Sequence, residues 1–282
     1  MTPQDILSLS AMPPANPSYP RGPYRFLNRE YLIITYETDL EAIRAIVPEP
    51  LEPDGSGQVH YEWIAMPDSS GFGSYHESDL VIPCTFRGEP VNYTAMMFLN
   101  DEPPISAGRE IWGFPKRWGE PRLEVRADTL TGTLDYAGER VAMGTITYKY
   151  QDRMAPDPTK RGAHLRKTSV NLKIIPCVTG GTRIAELVAY NLTDIHMHFH
   201  FSGATRLHLI PHINAPVADL PVLRVIEGRH FKADLTLPYG RVIHDYLSPT
   251  GASELAREKQ QSSRGLPAAS ALASPAALRR RA

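Results

Sequence analysis

Thr129-Leu130-Thr131-Gly132-Thr133-Leu134-Asp135-Tyr136-Ala137-Gly138-Glu139-Arg140-Val141-Ala142-Met143-Gly144-Thr145-Ile146-Thr147-Tyr148-Lys149-Tyr150 is two runs rich in Thr, Tyr, Val and Ile, parted at Ala137-Gly138-Glu139. β-Branched and aromatic residues on either side of a short Gly-containing break predict a β-hairpin. The same period-two alternation recurs at 30–36, 59–66 and 80–83, and further strands are expected near 171–176, 184–201, 205–210 and 230–237. One helix is well signed. Thr38-Asp39-Leu40-Glu41 has the spacing of a capping box, Leu40, Ile43, Ile46 and Val47 share a face, and Pro48 ends the run. A weaker helix is expected at 251–262. Many strands, few helices and no βαβ alternation give a mainly β (α+β) class. The expected form is a single domain on a mostly antiparallel curled sheet or closed β-barrel with a few peripheral helices.

The ends differ from this core. Residues 1–20 form a Pro-rich arm with Pro3, Pro13, Pro14, Pro17 and Pro20, and 251–282 an Ala/Ser/Pro-rich tail ending in three arginines, expected to be disordered; the domain is expected at 21–250. Thirty basic side chains balance thirty-one acidic ones, with no stripe of one sign outside the tail, so neither nucleic acid nor an anionic membrane is expected as a partner. No basic segment followed by an apolar run opens the chain, and no stretch approaches the ~20 apolar residues of a membrane span, so the expected location is cytoplasmic. Cys84 and Cys177 lie in apolar segments and read as buried free thiols.

The chemistry is concentrated in Ala107-Gly108-Arg109-Glu110-Ile111-Trp112-Gly113-Phe114-Pro115-Lys116-Arg117-Trp118-Gly119, where a lysine stands among aromatic residues in a turn-forming context. Only a neutral amine attacks a carbonyl, and one with the ordinary pKa of ~10.4 is neutral roughly once in 2,500 molecules at pH 7. Burial and a neighbouring cation both favour the neutral form; Phe114, Trp112 and Trp118 offer the first and Arg117 the second. On an extended strand adjacent side chains point to opposite faces, so adjacency alone does not bring Arg117 to the amine, and desolvation is the favoured cause.

Several ordered segments make the chain resemble the acetoacetate decarboxylase family over about Tyr24 to Leu247. They include Pro23-Tyr24-Arg25-Phe26-Leu27-Asn28-Arg29-Glu30-Tyr31, Val47-Pro48-Glu49-Pro50-Leu51, Tyr61-Glu62-Trp63-Ile64-Ala65-Met66, Gly108-Arg109-Glu110 with Pro115-Lys116, Leu172-Lys173-Ile174-Ile175-Pro176 and Val242-Ile243-His244-Asp245-Tyr246-Leu247. The resemblance implies decarboxylation of a β-keto acid through a Schiff base on Lys116, with Arg29, Glu62 and Glu77 as charged companions and Met97, Trp112, Phe114 and Arg117 around the substrate pocket. It implies no cofactor and a large homo-oligomer. Acetoacetate decarboxylase is itself the standing example of an amine tuned by a neighbouring cation. Here Arg117 stands where the family has a second lysine, and Phe114 where it often has Tyr. From the residues themselves, Glu62 shares a strand face with His60, Ile64 and Met66 and calls for a partner, for which Arg29 is the candidate, while Glu77 follows the Gly/Ser-rich loop 68–74.

Competing readings attach to the same residues. His196, His198 and His200 alternate along one expected strand and could chelate a metal. A relative on the same scaffold could use the lysine for aldol condensation, dehydration or cyclisation of another keto acid, and a barrel that only binds a small acid would leave the lysine without a purpose.

Overall fold

The computed structural model describes residues 1–248; the expected tail at 251–282 and the helix at 251–262 lie outside them. Among the described residues the strands are β1 (Tyr24–Glu37), β2 (Leu51–Pro53), β3 (Gln58–Ser69), β4 (Gly73–Phe86), β5 (Glu89–Leu99), β6 (Lys116–Trp118), β7 (Glu120–Arg126), β8 (Thr129–Tyr136), β9 (Glu139–Thr147), β10 (Gln151–Asp152), β11 (Ser169–Pro176), β12 (Thr182–Tyr190), β13 (Thr193–Gly203), β14 (Thr205–Leu209), β15 (Arg224–Leu237) and β16 (Arg241–Asp245). Twelve form one sheet whose main path runs β10-β13-β15-β1-β3-β4-β5-β11-β12-β16, with β2 and β6 paired off it to β4 and β5. Its ends do not pair, so the large sheet is open rather than a closed barrel. It is antiparallel except where β5 meets β11 and β6. A second sheet, β14-β9-β8-β7, packs across one face.

The hairpin forms as read: β8 and β9 are joined by Ala137 and Gly138, with φ of +53° and +86°, the left-handed pair that matches strand twist in a two-residue turn. Thr38-Asp39 does start a helix, α2 (Leu40–Ile46), following α1 (Pro3–Ser8). The cap is Asp39, accepting from the Ala42 N–H, rather than Thr38. The expected strand at 184–201 is two, β12 and β13, broken at Asn191-Leu192. β5 was not anticipated: Pro90 and a register shift between Leu80 and Val81 blur its alternation. Helix α1 buries none of its residues, yet Tyr19 beyond it is buried and its hydroxyl donates to Glu110.

Alternation along β1, β3 and β4 gives the large sheet two unlike faces. Leu32, Ile34, Tyr61, Trp63, Leu80 and Ile82 form a dry core against Leu130, Leu134 and Ile146 of the small sheet. That layer is tight enough that a Cβ on Gly132 would sit 2.3 Å from Trp63 Cδ2. The opposite residues of the same strands, Tyr31, Ile33, Glu62, Ile64, Glu77 and Asp79, turn toward the second core, which includes Met97, Trp112, Phe114 and Phe231. Among the described residues no helix is long and apolar enough to cross a membrane.

Candidate active site

The second face holds a cavity of about 350 Å³. Its floor is a row of directly opposed residues: Ile33 on β1 faces Glu62 on β3, Glu62 faces Asp79 on β4, Asp79 faces Met97 on β5, and Met97 faces Lys116 on β6. Directly opposed residues project to the same side of a sheet, so register alone converges these groups. Glu77, two residues before Asp79, shares that side.

Lys116 begins a three-residue strand and is 6% exposed. Ahead of it, α3 (Glu102–Ala107) runs into one π-helical turn, Gly108–Trp112, a widening that recurs at functional sites. The turn wraps the lysine. A Cβ on Gly108 would lie 2.6 Å from Lys116 Cδ and 2.8 Å from Cε, so only glycine fits. Arg109 Nη1 donates to the Lys116 carbonyl at 3.1 Å and the Phe114 N–H to the Gly108 carbonyl at 3.1 Å. Gly113 turns out of the helix at φ +72°, pressed on the Lys173 backbone. Asn171 Nδ2 and Lys173 Nζ of β11 donate to the carbonyls of Trp112 and Ile111, and Trp112 Nε1 donates to the Pro238 carbonyl.

Lys116 Nζ donates to Glu77 Oε1 at 2.6 Å, and Arg29 Nη2 lies 3.7 Å from Glu77 Oε2. Arg29 reaches the cavity through a bulge: Asn28 takes φ +56°, its N–H donates to Asp234 Oδ1, and the β1–β15 register shifts between Phe26 and Arg29. The extra residue puts Phe26 and Arg29 on one side, where the guanidinium stacks near the rings of Phe26 and Tyr31. The Lys116 amine lies 5.2 Å from the Phe114 ring centroid and 5.9 Å from that of Tyr75.

Of the residues expected in the site, Lys116, Arg29, Glu62, Glu77, Met97 and Phe114 line this cavity, and Trp112 and Arg117 do not. Trp112 stands behind Phe114, their ring centroids 6.1 Å apart. Arg117 takes the opposite face from Lys116, as strand alternation requires, and its guanidinium donates to the Asn214 carbonyl and, at 2.9 Å, to the Tyr136 hydroxyl. The expectation that it belongs to the substrate pocket is not met. Arg29 pairs with Glu77 rather than Glu62, and Glu77 lies inside β4, 3% exposed, not on a loop, because only Ser70-Gly71-Phe72 turns between β3 and β4.

Burial pushes the Glu62 carboxyl up to about 7, against the pull of Arg229 first and Arg29 second. Burial, with Glu77 and Glu62 nearby, holds Asp79 well above the usual carboxylate range. Asp79 and Arg229 were not anticipated; their only sequence signal was alternation, which is informative once strand register is known. Six lining residues keep a buried polar atom without a hydrogen-bond partner, among them Arg29 Nε, Tyr31 Oη and Asp79 Oδ1 toward the Lys116 end. Buried polar groups are satisfied as a rule, so this end is built to receive a polar molecule.

The alternating histidines do not converge. The β13–β15 register shifts between Met197 and Phe199, so His198 is the extra residue and His200 turns toward Phe231 and His164, away from His196 and His198. His198 instead pairs with Asp234 at 2.8 Å. No three His, Cys, Asp or Glu among the described residues stand close enough to hold a metal ion. Cys84 is buried and free as expected; Cys177 is free but only partly buried, bonded to Thr179 Oγ1 in a turn.

A buried lysine wrapped by a π-turn beside a carboxylate–guanidinium pair coincides with a match of residues 11–247 to the family model for acetoacetate decarboxylase. The chain belongs to the acetoacetate decarboxylase family. It is 53% identical over 249 residues to an acetoacetate decarboxylase of Burkholderia mallei, covering 88% of this chain and all of that one. A structure described as acetoacetate decarboxylase superposes with a TM-score of 0.84 at 43% identity, over 88% of this chain and all of that one. The acetoacetate decarboxylase of Legionella pneumophila does so at 0.80 and 42%, over 86% and 94%. Family membership makes the chain an enzyme of the carboxy-lyase class.

Proposed function

We propose that the enzyme decarboxylates acetoacetate to acetone and carbon dioxide through a Schiff base on Lys116. The observation that carries this reading is the nearly buried Lys116 amine held 2.6 Å from Glu77 inside the cavity. Glu77 is within reach to take the ammonium proton, and Arg29, 3.7 Å away, steadies the carboxylate as it does so. The neutral amine adds to the ketone carbon, and loss of the ketone oxygen as water leaves a protonated imine. The electrons of the breaking C–CO₂⁻ bond flow to the iminium nitrogen and give an enamine. Glu62, titrating near 7, delivers a proton to the enamine carbon, and water then hydrolyses the imine to acetone and free lysine.

The substrate carboxylate is better left without a tight guanidinium clamp, which would stabilise the ground state and oppose its departure. Phe114, Met97 and Tyr75 give that end an apolar wall, and the Arg29 guanidinium is paired with Glu77. A relative using the same lysine for aldol chemistry would also form the imine but release no gas.

The test is the fate of the ketone oxygen. In water enriched in the heavy oxygen isotope, acetone released through an imine carries the label from the first turnover. Acetone retaining the original oxygen at times too short for spontaneous exchange would rule the imine out.

A further inference from the structure

The cavity does not end at Glu62. The floor row continues one strand further, because Ile33 on β1 also faces Arg229 on β15. Arg229 and Lys116 thus stand five strands apart, about 24 Å along the backbone at the usual spacing, with side chains turned inward from both ends. His60, His164, Lys167, Glu227 and Arg229 line the far end. A volume of about 350 Å³ falls in the range that encloses drug-sized ligands, about 300–1,000 Å³, and exceeds what a four-carbon acid fills.

The chemistry of this end differs from that around Lys116. Its cations are Arg229 and Lys167, and the imidazoles around them are neutral: burial, then the Arg229 charge, pushes both His60 and His164 down to about 3. His200 stands behind His164, ring centroids 5.6 Å apart, and is lowered for the same reasons. Arg229 Nε, His164 Nε2 and His200 Nε2 are buried without a hydrogen-bond partner. Glu227 Oε1 lies 3.2 Å from that same Arg229 Nε, an ion pair without hydrogen-bond geometry made by a side chain that is 51% exposed.

A planar guanidinium flanked by neutral imidazole donors matches a carboxylate. The carboxylate that leaves has no use for such a clamp, and it is bound beside Lys116. We infer that the far end of the cavity recognises a second carboxylate, so that the enzyme accepts β-keto acids bearing a carboxylate-ended arm beyond the ketone. This rests on the assignment of Lys116 as the imine-forming residue. Arg229 and His164 bind the arm, and Glu227 is the internal competitor it displaces.

The experiment compares 3-oxo dicarboxylic acids with 3-oxo monocarboxylic acids of matched and increasing chain length in the wild-type enzyme. At the length that spans the cavity, kcat/KM for the diacid should exceed that for the monoacid by about tenfold or more. Arg229→Met should bring the ratio to near one, Arg229→Lys should keep part of it, and Glu227→Gln should raise it. A wild-type ratio near one at every length overturns the inference, whether or not the variants fold. Titration calorimetry with saturated diacids and monoacids, which form no imine, separates the two assignments. Tighter binding of the saturated diacid, with no borohydride-trapped lysine adduct when the 3-oxo acids are used instead, leaves the far site standing and removes the Lys116 reading. A trapped adduct without diacid preference does the reverse.

Discussion

The two faces of the large sheet are made by the same strands and obey different rules. On β3, Tyr61 and Trp63 enter a dry core against the small sheet, while Glu62, between them, faces the cavity. On β4, Leu80 and Ile82 lie on the dry side and Glu77 and Asp79 on the other. The dry face is close-packed to the point where glycine is the only residue that fits beside Trp63, and stability is its product. The cavity face accepts a buried aspartate held well above the usual carboxylate range, a glutamate titrating near 7 and polar atoms without partners, a set that disfavours the fold and makes sense as machinery. One residue of alternation separates the two.

Substitutions that break this contrast should separate chemistry from stability. Lys116→Ala should lower kcat/KM for acetoacetate by at least about 10⁴-fold with the melting temperature little changed, read by carbon dioxide release and calorimetry. Glu62→Gln should lower kcat by about 10²–10³-fold and erase the limb of the pH–rate profile that falls as pH rises through about 7, where the carboxyl loses the proton it donates.

The same substitution has an opposite sign in stability. Burial raises the folded-state value to about 7 from 4.5, so between those values the folded chain holds a proton that the unfolded chain has lost. Wild-type stability therefore falls as pH rises across that window, and Glu62→Gln should melt higher than wild type at pH 8, by about 2–4 °C. A wild-type melting temperature that does not fall from pH 5 to pH 8 relative to the variant would contradict the assignment.

On the dry face, a Cβ on Gly144 would sit 2.4 Å from Trp63 Cζ3 and 2.7 Å from Ile34 Cδ1. Gly144→Ala should cost about 1–3 kcal/mol in urea denaturation while the folded fraction turns over at the wild-type rate. Arg117→Met should do least. It removes the bonds to Asn214 and Tyr136, worth about 1 kcal/mol, and should leave kcat/KM within about threefold, since the guanidinium lies across the strand from the amine. A large fall in kcat/KM there would restore Arg117 as a tuning charge.

The β8–β9 hairpin was legible because a two-residue left-handed turn has a short-range signature, and Lys116 because its glycine, proline and aromatic neighbours are contiguous. Gly108 and Gly113 carry that motif for a visible reason: one passes beside the lysine side chain, the other against Lys173. What the sequence hid depends on register. Asp79 and Arg229 come to the cavity only through the opposed pairs that run from β15 to β6, and nothing local marks them. The pairing of Arg29 with Glu77 hangs on a bulge at Asn28, and the divergence of the three histidines on a bulge at His198. A one-residue insertion in the ladder reverses which side chains share a face, and period-two reading does not reveal it.

The most direct measurement is borohydride reduction of the enzyme in the presence of acetoacetate, followed by peptide mass mapping and parallel measurement of carbon dioxide. A single reduced adduct on the peptide carrying Lys116, gas evolved in the unreduced control, and neither signal in Lys116→Ala is the expected result. An adduct on another lysine, an adduct without gas, or gas evolved undiminished by Lys116→Ala would contradict the role assigned to that amine.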